Sequence, residues 1–273
     1  MPKQQPRIAF IGAGNMGEAM LRGLAKAGYP KECLWGFDLR TERLHALAAE
    51  AGFSAAVGAA QAIEGADAVV LATKPQAFAS VLVELGPMVQ AHQTVVSIAA
   101  GVRLERLGKA FAPGTPLVRV MPNTPGLIGK GVSAYCLGGG ATEAHGSLAE
   151  ALLKPLGEVV KVREEEMDAV TALSGSGPAY VFLFMEALQE AGERLGLGKE
   201  ATFLLASQTL VGASAMIQAQ QGRQSPADLR VAVTSPGGTT AAALKVFEEA
   251  GFRDLVVRAV AAARDRSEEL GRS

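Results

Sequence analysis

The chain has 273 residues, 49% of them hydrophobic, and a formal net charge of -1. This length suits two modest domains, and the balanced charge excludes a general electrostatic surface for nucleic acid or for an anionic membrane. No apolar run reaches the roughly 18 residues of a membrane-spanning helix, because polar side chains interrupt the nearest candidate at 203–217. Cys33 and Cys136 form neither a disulfide framework nor a metal site, so we expect a cytoplasmic protein.

The first part of the chain alternates short apolar runs with helical patterns, as a doubly wound α/β sheet does. Runs that are apolar throughout, such as residues 68–72, favour parallel strands with both faces covered. Strands are predicted at residues 8–11, 34–37, 68–72, 95–99, 117–121, 131–137 and 159–162. We therefore predict one α/β domain over residues 1–162.

The second part of the chain, residues 163–273, contains helical patterns and no convincing strand. The predicted helices cover residues 179–195, 201–221, a short segment from 224, 240–250 and 252–270. The mean hydropathy is positive although no segment is expected to span a membrane, which indicates apolar helices covered by another subunit. The predicted fold is an α/β doubly wound parallel sheet followed by a C-terminal all-helical domain.

The strongest local signal for a ligand is the G-x-G-x-x-G motif at residues 12–17, which follows the first predicted strand and opens a helix. In this setting the first glycine makes a tight turn, the second admits a pyrophosphate and the third allows close packing of helix and strand. The phosphates then lie at a helix N-terminus, where N–H groups are unpaired. The residues expected at the cofactor here are Gly12, Gly14, Asn15, Met16 and Gly17. Residues 1–162 are thus predicted to be a Rossmann-type domain that binds NADPH or NADH.

The residues after the second strand give conflicting indications about which nicotinamide cofactor is bound. Asp38 ends that strand and favours the two ribose hydroxyls of NAD. Arg40 and Arg43 follow closely and are able to hold the extra phosphate of NADP. Both preferences stay open on the sequence, and Asp38 and Arg40 are expected to contact the cofactor.

Loops that leave other strands at their carboxyl ends are expected to line the same crevice, since ligands of such sheets bind beyond those ends. One loop begins with Ala72, Thr73, Lys74 and Pro75, and its proline makes a rigid exit from the strand. Asn123 lies in a Met-Pro-Asn-Thr-Pro segment after a later strand. We predict that these five residues contact the cofactor, although Lys74 also fits a role as a surface lysine.

The stretch at 233–240, Val-Thr-Ser-Pro-Gly-Gly-Thr-Thr, has the composition of an anion-binding site, and we call it the anion cradle. Its proline and glycines shape a turn that a ligand is able to approach closely. The alanine-rich helix that follows adds unpaired N–H groups and a dipole that favours negative charge. A carboxylate would fit such a site. The same residues are also explained by a plain turn whose threonine caps the helix.

Five motifs in this order resemble those of the pyrroline-5-carboxylate reductase family, whose members catalyse the last step of proline synthesis. The motifs are the glycine motif at 12–17, Lys74-Pro75, Arg-Val-Met-Pro-Asn-Thr-Pro at 119–125, Gly-Ser-Gly-Pro-Ala-Tyr at 175–180 and residues 234–240 of the anion cradle. The first is generic, whereas the last two in combination are specific. The resemblance covers nearly the whole chain but departs from the expected pattern at 220–224, where some relatives have an acidic residue and this chain has none.

The resemblance implies a Rossmann domain at 1–162 and a helical substrate and dimerisation domain at 163–273, in homodimers that assemble further into decamers. It implies that the anion cradle holds the carboxylate of a small cyclic imino acid and that Thr240 lies beside the ring nitrogen. A hydride then moves from NADPH or NADH to the imine carbon. The residues implied in substrate binding are Ser235, Gly237, Gly238, Thr239 and Thr240, of which Thr240 is the catalytic one.

We expect the N–H groups of Gly237, Gly238 and Thr239 in the anion cradle to bind the substrate carboxylate. We also expect the anion cradle to meet the nicotinamide at a domain junction. Ser176 and Tyr180 either face the substrate or serve close helix packing.

Three other functions fit parts of the sequence. One is that of the related hydroxyacid dehydrogenases, which have a G-x-x-x-K motif at the start of their helical domain. The corresponding residues of this chain, 174–178, contain no lysine. A reductase of a six-membered cyclic imine differs by one methylene, which is worth only about 1–3 kcal/mol of discrimination. A non-catalytic NADP redox sensor needs only the first motif, and it would bind NADPH without oxidising it in the presence of the imine.

Overall fold

The computed structural model describes residues 5–272, apart from the side chains of Pro75 and Gln76. The strands among these residues are β1 (Ile8–Ile11), β2 (Leu34–Phe37), β3 (Ser54–Ala55), β4 (Ala68–Leu71), β5 (Thr94–Ser97), β6 (Pro116–Met121), β7 (Gly131–Gly139) and β8 (Gly157–Lys161). They form one sheet in the order β3-β2-β1-β4-β5-β6-β7-β8. This order confirms the predicted doubly wound fold, in which the chain builds outward from β1 and then crosses to β4.

Helices connect these strands and cover both faces of the sheet. They are α1 (Asn15–Lys26), α2 (Thr41–Ala51), α3 (Ala59–Ile63), α4 (Pro75–Leu85), α5 (Leu104–Ala110), α6 (Glu143–Leu153) and α7 (Met167–Val170). Neighbouring side chains of β1 enter different apolar clusters, since Ile8 and Phe10 belong to one and Ala9 and Ile11 to the other. Because both faces are buried, the central strands are apolar throughout.

The register of the sheet brings three loops to one edge. The last residue of β1 lies opposite the last residues of β2 and β4, and both pairings are parallel. The residues that follow, Gly12, Asp38 and Ala72, therefore leave the sheet side by side. The strand order reverses between β1 and β4, which is where ligands bind in folds of this kind.

The sheet differs from the predicted parallel sheet at one pairing. β7 runs antiparallel to β6, whereas the other neighbouring strands are parallel in the described residues. The connection between them contains only a short 3-10 segment, Thr124–Ile128, and parallel strands need a longer crossover. The sequence also did not predict β3, because two residues are too few for a period-2 pattern.

The helices that follow residue 176 are α8 (Gly177–Arg194), α9 (Lys199–Ala219), α10 (Pro226–Ala232), α11 (Thr239–Glu249) and α12 (Phe252–Arg272). No strand occurs among the described residues from 163 to 272, as predicted. By length and composition alone α9 qualifies as a membrane span, and only 6% of its apolar stretch is buried within the protein. The sequence did not predict a span here, because uncharged polar residues interrupt the apolar run of α9.

The chain divides into two compact units, one of residues up to 176 together with those from 263 on, and the other of residues 177–262. The sequence instead predicted the boundary between the α/β domain and the helical domain at residue 162. The difference arises because residues 163–176 and the end of α12 bond within the first unit. Leu104 N donates to Glu164 Oε1 at 2.6 Å, and Ser267 Oγ donates to Asp168 Oδ1 at 2.7 Å.

Asp168 joins parts of the first unit that are far apart in sequence. Its Oδ2 accepts a hydrogen bond from Arg103 Nη2 at 3.2 Å, and its Oδ1 accepts the bond from Ser267. The Asp168 side chain is only 13% exposed. This carboxylate therefore fixes the end of α12 and the loop after β5 to one point.

We expect Asp168→Ala to lower the free energy of unfolding by about 2–4 kcal/mol, because it leaves a buried hydroxyl and a guanidinium without their acceptor. Asp265→Ala is the matched control, since Asp265 lies on the same helix as Ser267 in an exposed pair with Arg264. The control is expected to cost about 0–1 kcal/mol. Equal costs in urea titrations of the two variants would contradict the role assigned to Asp168.

Candidate functional site

The three glycines of the motif have different surroundings. Gly12 has a φ of +101°, and an added Cβ would lie 2.7 Å from Ala72 O. A Cβ on Gly17 would lie 2.4 Å from Gly12 O, so helix and turn pack too closely for any side chain. A Cβ on Gly14 would meet no heavy atom within 4 Å. Thus turn and packing require Gly12 and Gly17, whereas Gly14 borders open space.

The N-terminus of α1 lies beside this open space. Gly14 is the N-cap, with extended backbone and no side-chain cap hydrogen bond. The first helical residue, Asn15, is exposed, and Met16 is half-buried. Free N–H groups next to open space suit a phosphate group.

Asp38 is close to this helix N-terminus. Its Oδ2 accepts a hydrogen bond from Ala13 N at 2.8 Å, and its carboxylate pairs with Arg40. Burial would raise the pKa of Asp38, but the hydrogen bonds from Arg40 and Ala13 outweigh that effect and lower the pKa to about 2. The carboxylate is therefore ionised at neutral pH.

Arg43 is also bonded to the glycine loop. Its Nη1 donates to Ala13 O at 2.5 Å, and its Nη2 pairs with Glu18 on α1. These contacts join α2 to the turn before α1. Arg43 thus helps to hold the loop that the glycine motif forms.

The loop after β4 contains a buried hydroxyl without a partner. Thr73 Oγ1 has no hydrogen bond to any described residue, although its atom is buried. Its neighbour Ala72 is fixed to β1, because Ala72 N donates to Ile11 O at 2.8 Å. Lys74 is exposed, and α4 begins at Pro75. An unpaired buried hydroxyl costs free energy that a bound polar ligand is able to recover.

Asn123 uses both ends of its amide within the protein. Its Nδ2 donates to Ser174 O at 3.1 Å, and its Oδ1 accepts from Val132 N at 2.9 Å. Ser174 lies in a π-helical segment, Thr171–Gly175, of the kind often found at functional sites. Asn123 therefore joins the loop after β6 to this segment, and its contact with the cofactor stays a prediction.

A cavity of about 650 Å³ lies beside the loop after β5. Residues 100–102 of that loop, Thr171 and Ser176 line it, together with the last turns of α12. Ser176 thus faces a cavity at the carboxyl end of a parallel strand. Whether Ser176 contacts the substrate or serves helix packing stays open.

The anion cradle forms a turn followed by a helix. Gly238 N donates to Ser235 O at 3.0 Å, Gly237 has a φ of +70°, and α11 begins at Thr239. A Cβ on Gly238 would lie 2.6 Å from Ser235 Oγ, so this position has no room for a side chain unless Ser235 moves. The hydroxyls of Ser235, Thr239 and Thr240 have no hydrogen-bond partner among the described residues, so all three are available to a ligand.

One donor in the cradle differs from the expectation. The sequence assigned the Gly238 N–H to the substrate carboxylate, but this N–H is already bonded within the turn. Gly237 N–H and the first N–H groups of α11 are outside that turn bond. Gly238 thus shapes the turn, and Gly237 and Thr239 are better placed to donate.

Two family models match the chain. The model described as NADP oxidoreductase coenzyme F420-dependent matches residues 7–101, and the model described as pyrroline-5-carboxylate reductase dimerisation matches residues 164–270. The first match contains the glycine motif and the second contains the anion cradle.

Relatives match over nearly the full length. The chain is 43% identical over 266 residues to a pyrroline-5-carboxylate reductase of Pseudomonas aeruginosa, covering 97% of each. The structure of a pyrroline-5-carboxylate reductase from Coxiella burnetii superposes with a TM-score of 0.93 at 37% identity, covering 98% of this chain and 99% of that one. The Plasmodium falciparum pyrroline carboxylate reductase with NADP bound gives a TM-score of 0.85 at 30% identity over the same shares.

Proposed function

The chain belongs to the pyrroline-5-carboxylate reductase family, and we propose how its own residues carry out that family's reaction. It reduces the C=N bond of pyrroline-5-carboxylate to give proline by hydride transfer from NADPH or NADH. The observation that carries this conclusion is similarity at 43% identity that extends over 97% of the chain, through both the glycine motif and the anion cradle.

Residues 1–162 hold the cofactor, and three observations fit NADPH or NADH there. Open space adjoins Gly14, the N-terminus of α1 has no side-chain cap, and Thr73 Oγ1 is buried without a partner. The pyrophosphate would be held by the backbone of Gly14, Asn15 and Met16. Thr73 would gain the hydrogen bond that it lacks.

A pair of glycine variants tests this assignment. Gly14→Val fills open space without steric conflict, so we expect a normal Tm and a Kd for NADPH raised about 10- to 100-fold through lost hydrogen bonds to charge. Gly17→Ala places a Cβ 2.4 Å from Gly12 O and should lower the free energy of unfolding by about 1–3 kcal/mol. Fluorescence titration and thermal unfolding measure the two effects. Unchanged NADPH binding by Gly14→Val would rule out the proposed phosphate site.

Residues 163–273 hold the substrate through the anion cradle. The carboxylate accepts hydrogen bonds from Gly237 N–H, Thr239 N–H and the Ser235 hydroxyl, aided by the dipole of α11. Gly238 keeps the turn in shape, because a side chain there would displace Ser235 Oγ. When bound, the reduced nicotinamide supplies a hydride to the imine carbon.

Thr240 acts on the ring nitrogen. Thr240 is half-buried and its hydroxyl has no partner among the described residues, so it is free to hydrogen-bond that nitrogen. A threonine has no useful pKa, and Thr240 therefore orients the imine or relays a proton rather than serving as the acid. The imine accepts a hydride more readily when its nitrogen is protonated.

The helical domain at 163–273 also forms the subunit interface. We propose a homodimer built from these helices, decamers built from such dimers, and a cytoplasmic enzyme without nucleic-acid or membrane partners. The support for the dimer is the apolar and exposed surface of α9, which has no charged side chain from residue 201 to 219, together with the match to a dimerisation model.

The decisive experiment incubates the purified protein with pyrroline-5-carboxylate and NADPH. We expect loss of the dihydronicotinamide absorbance and formation of proline in equal amounts. A six-membered cyclic imine and a hydroxy acid serve as controls for substrate class. Binding of NADPH without its oxidation would overturn the proposed function.

A further inference from the structure

Both oxygens of the Asp38 carboxylate are fully occupied by donors from the protein. Oδ2 accepts from Ala13 N at 2.8 Å and from Arg40 Nη2 at 3.0 Å. Oδ1 accepts from Arg40 N at 3.0 Å and from Arg40 Nε at 2.9 Å. Two donors on each oxygen use the acceptor capacity of a carboxylate. A ribose hydroxyl is thus able to bind Asp38 only where another donor leaves.

The Arg40 side chain is the donor that is able to leave. It is 57% exposed, whereas the Asp38 side chain is 11% exposed. Because more than half of the Arg40 side chain is in solvent, water is able to replace Asp38 as the partner of the guanidinium when that side chain turns away. The Ala13 N–H belongs to the glycine loop and stays in place. Rotation of Arg40 would free one site on each Asp38 oxygen.

Arg43 does not have this freedom. Its guanidinium is bonded to Ala13 O and to Glu18, so turning it toward a ligand would break the contacts that hold the glycine loop. The sequence indicated both arginines as able to hold the phosphate of NADP and predicted a cofactor contact for Arg40. The structure separates them, because only Arg40 turns without loosening the loop.

We propose that Asp38 and Arg40 together form a selector that lets this enzyme use both NADH and NADPH. With NADH, ribose hydroxyls take the place of the Arg40 side chain on the Asp38 carboxylate. With NADPH, the Arg40 guanidinium turns from Asp38 to the 2′-phosphate and offsets the repulsion between that phosphate and the carboxylate. This inference rests on the proposed binding of the dinucleotide at the glycine motif.

The selector is tested by equilibrium binding of NADH and NADPH to the purified full chain, measured by fluorescence titration. Asp38→Asn keeps an acceptor for Ala13 N–H but removes the charge and frees Arg40. We expect it to raise the Kd for NADH about tenfold and to lower the Kd for NADPH about three- to tenfold. Arg40→Ala should raise the Kd for NADPH about tenfold while the Kd for NADH stays within about threefold.

The double variant tests whether the effects of Asp38 and Arg40 on NADPH binding depend on each other. The tighter NADPH binding of Asp38→Asn depends on the released Arg40, so the double variant with Arg40→Ala should lose most of it. Arg43→Ala is the matched control, which should weaken both cofactors about equally by loosening the loop.

Two results would overturn the selector while both cofactors still bind. One is a ratio of the NADH and NADPH dissociation constants that stays within about twofold of the unmodified value in both single variants. The other is a shift of that ratio by Arg43→Ala as large as the shift by Arg40→Ala. If the unmodified chain binds neither cofactor, the proposed function fails and the selector fails with it.

Discussion

Replacing Thr240 by alanine is expected to lower kcat for pyrroline-5-carboxylate about 10- to 100-fold, because the ring nitrogen loses a hydrogen bond in the transition state. The KM should change less than about threefold, since the carboxylate contacts of the anion cradle remain. Steady-state kinetics at saturating NADPH measure both constants. An undiminished kcat would remove Thr240 from the catalytic site.

Two further variants separate chemistry from folding. Thr240→Ser keeps a hydroxyl and should keep at least about a third of kcat, provided that the hydroxyl and not the methyl group matters. Thr239→Ala changes the first residue of α11. It should raise KM more than it lowers kcat, because we propose that Thr239 contacts the substrate carboxylate and not the reacting ring nitrogen. Equal Tm values for the three variants would show that the helix start is intact.

Features governed by short-range rules were predictable from the sequence. Strands β1, β4 and β5 form apolar runs because both faces of the sheet are buried. The different surroundings of Gly12, Gly14 and Gly17 follow from the strand-turn-helix setting of the motif. The position of Asp38 beside the glycine loop follows from the parallel register of β1 and β2.

Features that depend on distant parts of the chain were not predictable. Asp168 and Ser267 are 99 residues apart, and the sequence around each of them does not indicate that they form a hydrogen bond. The same limit applies to Asn123, whose amide bonds to Ser174, 51 residues away. The antiparallel direction of β7 depended on the length of a connection that contains no clear helical pattern.

Polar contacts at the candidate site were predictable as residue types but not as pairings. The sequence identified Asp38, Arg40 and Arg43 without showing that two of them pair with each other. It also assigned a free N–H to Gly238, because the 3.0 Å bond to Ser235 O depends on the turn geometry. Which donors remain for a ligand is decided by such local bonds.

The surface of α9 leads to the second large expected effect. From residue 201 to 219 the helix has no charged side chain, and Leu204 is 64% exposed. Its neighbours Phe203 and Leu205 are also more than half exposed, on different sides of the helix. A soluble protein rarely leaves so much contiguous apolar surface in water, and such surfaces mark contacts with other proteins.

Leu204→Glu should convert the proposed homodimer into monomers, because a carboxylate buried in an apolar interface loses its hydration without gaining a partner. Light scattering after size exclusion measures the mass directly, and the variant should show the mass of a single chain. The Tm should also stop depending on protein concentration. Val83→Glu is the matched control, since Val83 is 79% exposed on α4 in the other unit and should leave the mass unchanged. A Leu204→Glu protein that keeps the unmodified mass would place the subunit interface elsewhere on the helical domain.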